Sequence, residues 1–270
     1  MATIGIFDSG VGGLSVLREA LKVLPNEKYI YFSDNAYCPY GDKTPEQILE
    51  RAQEITDYLL FKGADIIVIA CNTATAAAIA ALREEYSEPS GRILRVSRGK
   101  HDHVKFIGIE PAVKPAALGT SSGVVGVLAT AGTLAGSKYF GTKEQWEGNA
   151  RIVEHVGEGF VELVESGELT GKHAEDVVRK SLQPLLDEGA DIIVLGCTHY
   201  PFLKETIQKL AGPDVRIIDP APAVVRQLLR VLDEEHIPYD RNAGSPDGAP
   251  DVELKSSGPS DALRRTFSYL

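Results

Sequence analysis

The sequence predicts an α/β protein of two pseudo-symmetric lobes, each a mostly parallel sheet flanked by helices. Three observations lead to that class. Short β-branched runs alternate with helical patterns, a long segment repeats about half a chain later, and both copies of the repeat end in a cysteine followed by polar residues.

The strands read as Ile4–Phe7, Tyr29–Ser33, Ile66–Ala70, Val104–Ile109, Val124–Leu128, Arg151–His155, Ile192–Leu195 and Val215–Ile218. Between them lie helical patterns over Leu14–Leu24, Pro45–Lys62, Ala74–Tyr86, His173–Glu188 and Ala221–Glu234. Thr44-Pro45-Glu46 marks a helix start, with a hydroxyl cap, a proline that costs no hydrogen bond at the first helical position, and an acid in the first turn. Strand–helix alternation of this kind is the pattern of a parallel sheet covered on both faces.

The repeat is explicit. Gly63-Ala64-Asp65-Ile66-Ile67-Val68-Ile69-Ala70-Cys71-Asn72-Thr73 returns 126 positions later as Gly189-Ala190-Asp191-Ile192-Ile193-Val194-Leu195-Gly196-Cys197-Thr198-His199. A weaker echo pairs Gly5-Ile6-Phe7-Asp8-Ser9-Gly10 with Gly126-Val127-Leu128-Ala129-Thr130-Ala131. So long a period is not a solenoid's, and it reads as duplication into two lobes. Residues 87–103 read as a polar, basic surface excursion, and residues 237–250, rich in Pro, Gly, Asp and Asn, as a loop before a short terminal element.

Composition narrows the function. The chain of 270 residues is 43% hydrophobic and 24% charged, an ordinary globular balance. A net charge of −10, with no Lys/Arg cluster to offset phosphate repulsion, argues against nucleic-acid and membrane-surface partners. The apolar runs are strand-length, too short to span a bilayer. The start, Met1-Ala2-Thr3-Ile4-Gly5-Ile6-Phe7-Asp8, lacks the basic region of a signal peptide. Three cysteines without an even framework fit a reducing, cytoplasmic setting.

In open α/β sheets, ligands bind beyond the C-terminal strand ends. Asp8-Ser9-Gly10, Cys71-Asn72-Thr73 and Cys197-Thr198-His199 reach that edge, each closing a strand and opening a helix, where free N–H groups favour anions. A single strand-end cysteine reads as a small core hydrophobe. Two at equivalent ends of a repeated strand read as a pair of acid–base groups, because a thiol with a pKa of about 8.5 exchanges protons near neutrality and a helix N-terminus lowers that value. Facing one ligand from opposite sides, they would invert a carbon centre.

Asp8 alone could be a helix cap; beside the turn Gly10-Val11-Gly12-Gly13 it reads as functional, since those glycines let a ligand approach the backbone. The turn lacks nucleotide-binding spacing. His101-Asp102-His103 has metal-like spacing but no matching ligands, and reads as a solvated loop; no metal is expected. Cys38 reads as a structural thiol, and Glu165 as either a solvated helix face or a site acid.

Several stretches together resemble the glutamate racemases of the aspartate/glutamate racemase superfamily: Gly5 to Leu14, Ser33-Asp34-Asn35 with Pro39-Tyr40-Gly41, Cys71 to Ala76, Glu110-Pro111-Ala112, and Gly196 to Pro201. They run in the family's order and cover nearly the whole chain. The resemblance implies two lobes around a central cleft that holds the active site. The first lobe, 1–103, would be completed by 212–270, and 104–211 would form the second. It implies cofactor-independent interconversion of L- and D-glutamate, with Cys71 serving the D-enantiomer and Cys197 the L-enantiomer, and Asp8, His199 and Glu165 assisting. Ser9, Tyr40, Gly41, Asn72, Thr73, Thr75, Thr130 and Thr198, together with Asp8 and His199, would hold the substrate. A homodimer and a supply of D-glutamate to bacterial peptidoglycan, hence to cell shape, follow from the same resemblance. The chain departs from the family in residues 87–103, which look inserted, at Cys38, in Val156-Gly157-Glu158-Gly159, and in Asp219-Pro220-Ala221-Pro222. The cysteine pair sets reaction type, not side-chain length, so a racemase of aspartate or another amino acid stays open. So does a non-enzymatic amino-acid-binding protein.

Overall fold

The computed structural model describes residues 1–240 and 249–270, without the side chains of Ser137 and Lys138. The loop expected over 237–250 therefore falls largely outside the described residues. The chain divides into two units, Met1–Ile109 with Ala221–Leu270, and Glu110–Pro220.

The first unit carries a five-stranded sheet in the order β4-β3-β1-β2-β9: β1 is Thr3–Asp8, β2 Lys28–Ser33, β3 Ile66–Ile69, β4 Phe106–Gly108 and β9 Val252–Ser256. The second unit's sheet runs β6-β5-β7-β8, with β5 Val124–Ala129, β6 Arg151–Val156, β7 Ile192–Gly196 and β8 Arg216–Ile218. All strand pairs in both sheets are parallel. The eight expected strands all form. With β9 set aside, the two orders are the same: β1 corresponds to β5, β2 to β6, β3 to β7 and β4 to β8. The repeat read in the sequence is a repeat of topology.

Register makes the match residue by residue. Gly5 lies opposite Ile67, and Gly126 opposite Ile193. Both glycines exist to admit a leucine from the covering helix. A Cβ on Gly5 would meet Leu59 at 3.2 Å and Ala64 at 3.1 Å. On Gly126 it would meet Leu185 at 3.1 Å and Ile193 at 2.6 Å. Leu59 and Leu185 sit at equivalent places, in helices Pro45–Phe61 and Lys172–Asp187. At the other end of the cysteine-bearing strands, Asp65 accepts the N–H of Thr3 at 2.8 Å, while Asp191 accepts those of Ser121 and Ser122 at 2.7 and 3.0 Å. Each acid thus anchors the start of the neighbouring central strand. Burial works against ionising Asp65, but hydrogen bonds from His101, Lys100 and Thr3 outweigh it and bring its pKa down to about 2.

The helix predicted from Thr44-Pro45 begins there with a full capping box, in which Thr44 Oγ1 accepts the Gln47 N–H and Gln47 Oε1 accepts the Thr44 N–H. Residues 87–103 are more ordered than their polarity implied. A helix spans Gly91–Val96, capped by Ser90 and seated on the core through Ile93. One buried apolar side chain every turn was too short a signal for periodicity to register. His101 and Lys100 of this segment pair with Asp65, and His103 with Asp102. No described helix is long and apolar enough to cross a membrane.

Candidate active site

In the first unit, β1 and β3 are hydrogen-bonded neighbours with Phe7 opposite Ile69, so Asp8 and Cys71 leave the sheet at one edge on adjacent strands. Tight packing shapes the turn between Asp8 and the first helix. A Cβ on Gly13 would sit 2.7 Å from the Asp8 Cβ and 2.9 Å from the Tyr31 hydroxyl. The Gly13 N–H donates to Asp8 Oδ2 at 2.7 Å, so one carboxylate oxygen of this fully buried acid serves the turn.

Cys71 is the N-cap of helix Asn72–Tyr86. Its Sγ accepts the Ala74 N–H at 3.4 Å, and its thiol donates to Ser9 Oγ at 3.7 Å. A sulfur in that position faces the free N–H groups of a 15-residue helix, which favours its thiolate. Next to it, the Asn72 side chain is buried while neither its amide nitrogen nor its carbonyl oxygen has a partner. A buried amide left so is paired when a ligand brings both a donor and an acceptor, as an amino acid does. Thr73 is buried one residue on. Thr75 is differently employed, since its hydroxyl donates to the Ile69 carbonyl and accepts the Ile109 N–H, tying β3 to the exit of β4. The hydroxyl of Tyr40 is likewise committed, donating to Asp34 Oδ2 at 2.6 Å, and Gly41 follows it in a short 3-10 turn.

In the second unit Ala129 lies opposite Gly196, which brings Thr130 and Cys197 to one edge. Thr130 caps the next helix, its Oγ1 accepting the Thr133 N–H at 3.2 Å. Cys197 Sγ lies 3.8 Å from His199 Nδ1, and His199 Nε2 lies 2.8 Å from Glu165 Oε1. Thiol, imidazole and carboxylate form a line in which the acid orients the ring and the ring can exchange a proton with sulfur. Thr198 and His199 are both buried. Glu165 lies in helix Phe160–Ser166, whose approach is fixed by Tyr200. The Tyr200 hydroxyl donates to the Gly157 carbonyl at 3.3 Å, its ring stands edge-on to Phe160, and a Cβ at residue 157 would overlap the phenol. The glycine in Val156-Gly157-Glu158-Gly159 makes room for that tyrosine.

Residues 9–228 match the Asp/Glu/Hydantoin racemase family. The glutamate racemase of Ectopseudomonas mendocina is 45% identical over 236 residues, covering 87% of this chain and 84% of that protein. The chain belongs to this racemase family.

Solved racemases share its architecture. Glutamate racemase isoform RacE1 of Bacillus anthracis superposes with a TM-score of 0.81 at 30% identity, over 98% of this chain and 91% of that one. The Escherichia coli glutamate racemase, solved with L-glutamate and the activator UDP-MurNAc-Ala, also gives 0.81 at 30% identity, over 99% and 94%.

The sequence reading gave no role to two groups of this racemase: Asp34, which it placed only within a matching stretch, and Arg51. Asp34 is fully buried directly after β2 and binds Arg51, 17 positions along on the capped helix. The signal for Asp34 was present, an acid closing an apolar strand as Asp8 does. Arg51 had none, because a charged residue on an amphipathic helix reads as a solvated face.

Proposed function

We propose that this chain interconverts L- and D-glutamate without a cofactor, using Cys71 and Cys197 as its two acid–base groups. The observation that supports the reading most strongly is the equivalence of the two thiols. Each leaves the sheet beside the central strand of topologically matched sheets, and each has its own means of gaining and losing a proton.

Inversion at the α-carbon needs one proton removed from one face and another delivered to the opposite face. From D-glutamate, the Cys71 thiolate takes the α-proton while the Cys197 thiol supplies one; from L-glutamate the roles exchange. After one turnover the thiolate has moved from one cysteine to the other, so the product-releasing form is the form that accepts the other enantiomer. Helix N–H groups support the Cys71 thiolate, whereas His199, held by Glu165, serves Cys197. Asp8 assists Cys71 from the adjacent strand. Asn72, with Ser9, Thr73, Thr130, Thr198 and the backbone of Tyr40 and Gly41, supplies donors and acceptors for the ammonium and the two carboxylates; Thr75 shapes the site from behind.

Glutamate rather than aspartate is supported by the names of the curated relatives and by the L-glutamate in the E. coli structure. With that substrate goes the rest of the reading: a cytoplasmic homodimer that supplies D-glutamate for peptidoglycan. The test is to incubate the purified protein with L-glutamate in D₂O, adding no cofactor. Loss of optical rotation with α-deuterium incorporation is expected, with aspartate inert. Equal turnover of aspartate would overturn the specificity, and a requirement for pyridoxal phosphate would overturn the mechanism. Binding of glutamate without exchange would make this an amino-acid-binding protein.

A further inference from the structure

We propose that Arg51 is a positioning residue for the Cys71 half of the reaction, acting through Asp34 and Tyr40. The inference rests on the racemase reading above and adds a residue remote from the thiols.

Asp34 is fully buried, and its carboxylate makes three side-chain contacts: Arg51 Nη2 to Oδ1 at 2.8 Å, Arg51 Nε to Oδ2 at 3.0 Å, and the Tyr40 hydroxyl to Oδ2 at 2.6 Å. A two-pronged guanidinium contact fixes the plane of the carboxylate as well as neutralising it. The backbone N–H of Asp34 donates to the Asp8 carbonyl at 2.9 Å, so the same residue also pins the end of β1.

Tyr40 carries the effect inward. Its ring is buried in the same apolar cluster as Cys71, close enough for the two groups to interact electrostatically. Burial, followed by the neighbouring Asp34, holds its hydroxyl protonated far above the usual range, so it is a fixed donor. Tyr40 is also the middle residue of Pro39-Tyr40-Gly41, the short turn whose backbone, in the function proposed above, meets the substrate. Fixing the phenol fixes that turn.

Arg51 is itself held. Its guanidinium lies 4.1 Å over the Tyr37 ring, and Nη1 pairs with Glu54. Tyr37, Tyr40 and Arg51 wall a cavity of about 340 Å³, with Lys43 and Gln47 on the same rim. Without the guanidinium, water from that cavity reaches Asp34 and competes for the carboxylate that holds Tyr40. Among the described residues of the second unit no buried aspartate and arginine hold a tyrosine beside Cys197 in this way; the Tyr200 hydroxyl there meets a neutral carbonyl. Loss of Arg51 should therefore damage one half-reaction and spare the other.

Rate constants alone cannot show which half is damaged. The two enantiomers have equal free energy, so kcat/KM must stay equal in both directions. Isotope effects are free of that constraint. When proton transfer at Cys71 slows, the primary deuterium effect on kcat/KM rises for D-[α-²H]glutamate and falls for L-[α-²H]glutamate.

For Arg51→Met we expect kcat/KM to fall roughly tenfold to a hundredfold, the scale of a sub-ångström to 1 Å misplacement, with opposite movement of the two isotope effects. Arg51→Lys keeps the charge and loses the fork, and should fall between wild type and Arg51→Met with the same asymmetry. It carries the test if Arg51→Met does not fold by circular dichroism. Activity within twofold of wild type, or isotope effects that move together, would overturn the proposal. A wild-type enzyme that does not racemise glutamate would instead overturn the reading beneath it.

Discussion

His199 stands between a carboxylate and a thiol, its Nε2 2.8 Å from Glu165 and its Nδ1 3.8 Å from Cys197. Glu165→Gln removes the charge that steadies a protonated ring and leaves the shape. General acid–base groups contribute on the order of 10²–10⁴-fold, and an orienting partner a fraction of that. We expect kcat/KM to drop roughly tenfold, with the isotope effect rising for L-[α-²H]glutamate and falling for the D-enantiomer. Initial rates and isotope effects with both labelled substrates check it.

Serine at either thiol should abolish racemisation, because an alcohol is too weak an acid to exchange the proton. One-sided exchange should survive. Cys71→Ser retains Cys197 and should wash solvent deuterium into L-glutamate without inverting it, whereas Cys197→Ser should do so only for D-glutamate. Proton NMR of each enantiomer in D₂O reads this directly. Exchange from both enantiomers in either variant would contradict the two-thiol assignment.

Gly5 and Gly126 are equivalent but not equally crowded. Alanine at 126 must displace an Ile193 methyl at 2.6 Å and Leu185, whereas alanine at 5 meets its nearest atoms at 3.1 Å. Overpacking of this kind costs about 1–3 kcal/mol, and Gly126→Ala should lie at the upper end with Gly5→Ala below it. Denaturant titration of the two variants ranks them.

Asp65 links stability to acid. Its carboxyl has a pKa lowered to about 2 in the folded protein from an ordinary value of 3.8. A depressed folded value means the contribution is complete above the unfolded pKa and disappears as pH falls through the folded one. Asp65→Asn should therefore melt lower than wild type at pH 7, and the gap should narrow between about pH 4 and pH 2. Thermal melts across that range test the sign; a gap that widens on acidification would refute it.

Much of this was legible in the residues. The GADII repeat located the cysteine strands, the strand-end rule collected Asp8, Cys71 and Cys197 at sheet edges, and resemblance added His199 and Glu165, which the structure places in hydrogen-bonding distance. What the sequence hid was pairing at a distance. Nothing local says that Asp34 waits for Arg51, or that Val252–Ser256 joins β2 as a strand. The latter alternates apolar and polar residues over only four positions, Val252 to Lys255, and its role depends on an edge built more than two hundred residues earlier. Thr75 shows the opposite limit. The resemblance implied a ligand contact for it; its hydroxyl bonds two backbone groups that sequence alone could not bring near it.

The split of the first unit sets an order on its completion during synthesis. The second unit is one uninterrupted stretch that ends at Pro220. The first unit, although made earlier, lacks helix Ala221–Glu234, which packs against helix Leu14–Val23, and it lacks β9 along the open side of β2. On a ribosome that part of the chain therefore emerges first and closes last. Until residue 256 is free, its β2 edge presents unpaired N–H and carbonyl groups to whatever nascent chains lie nearby.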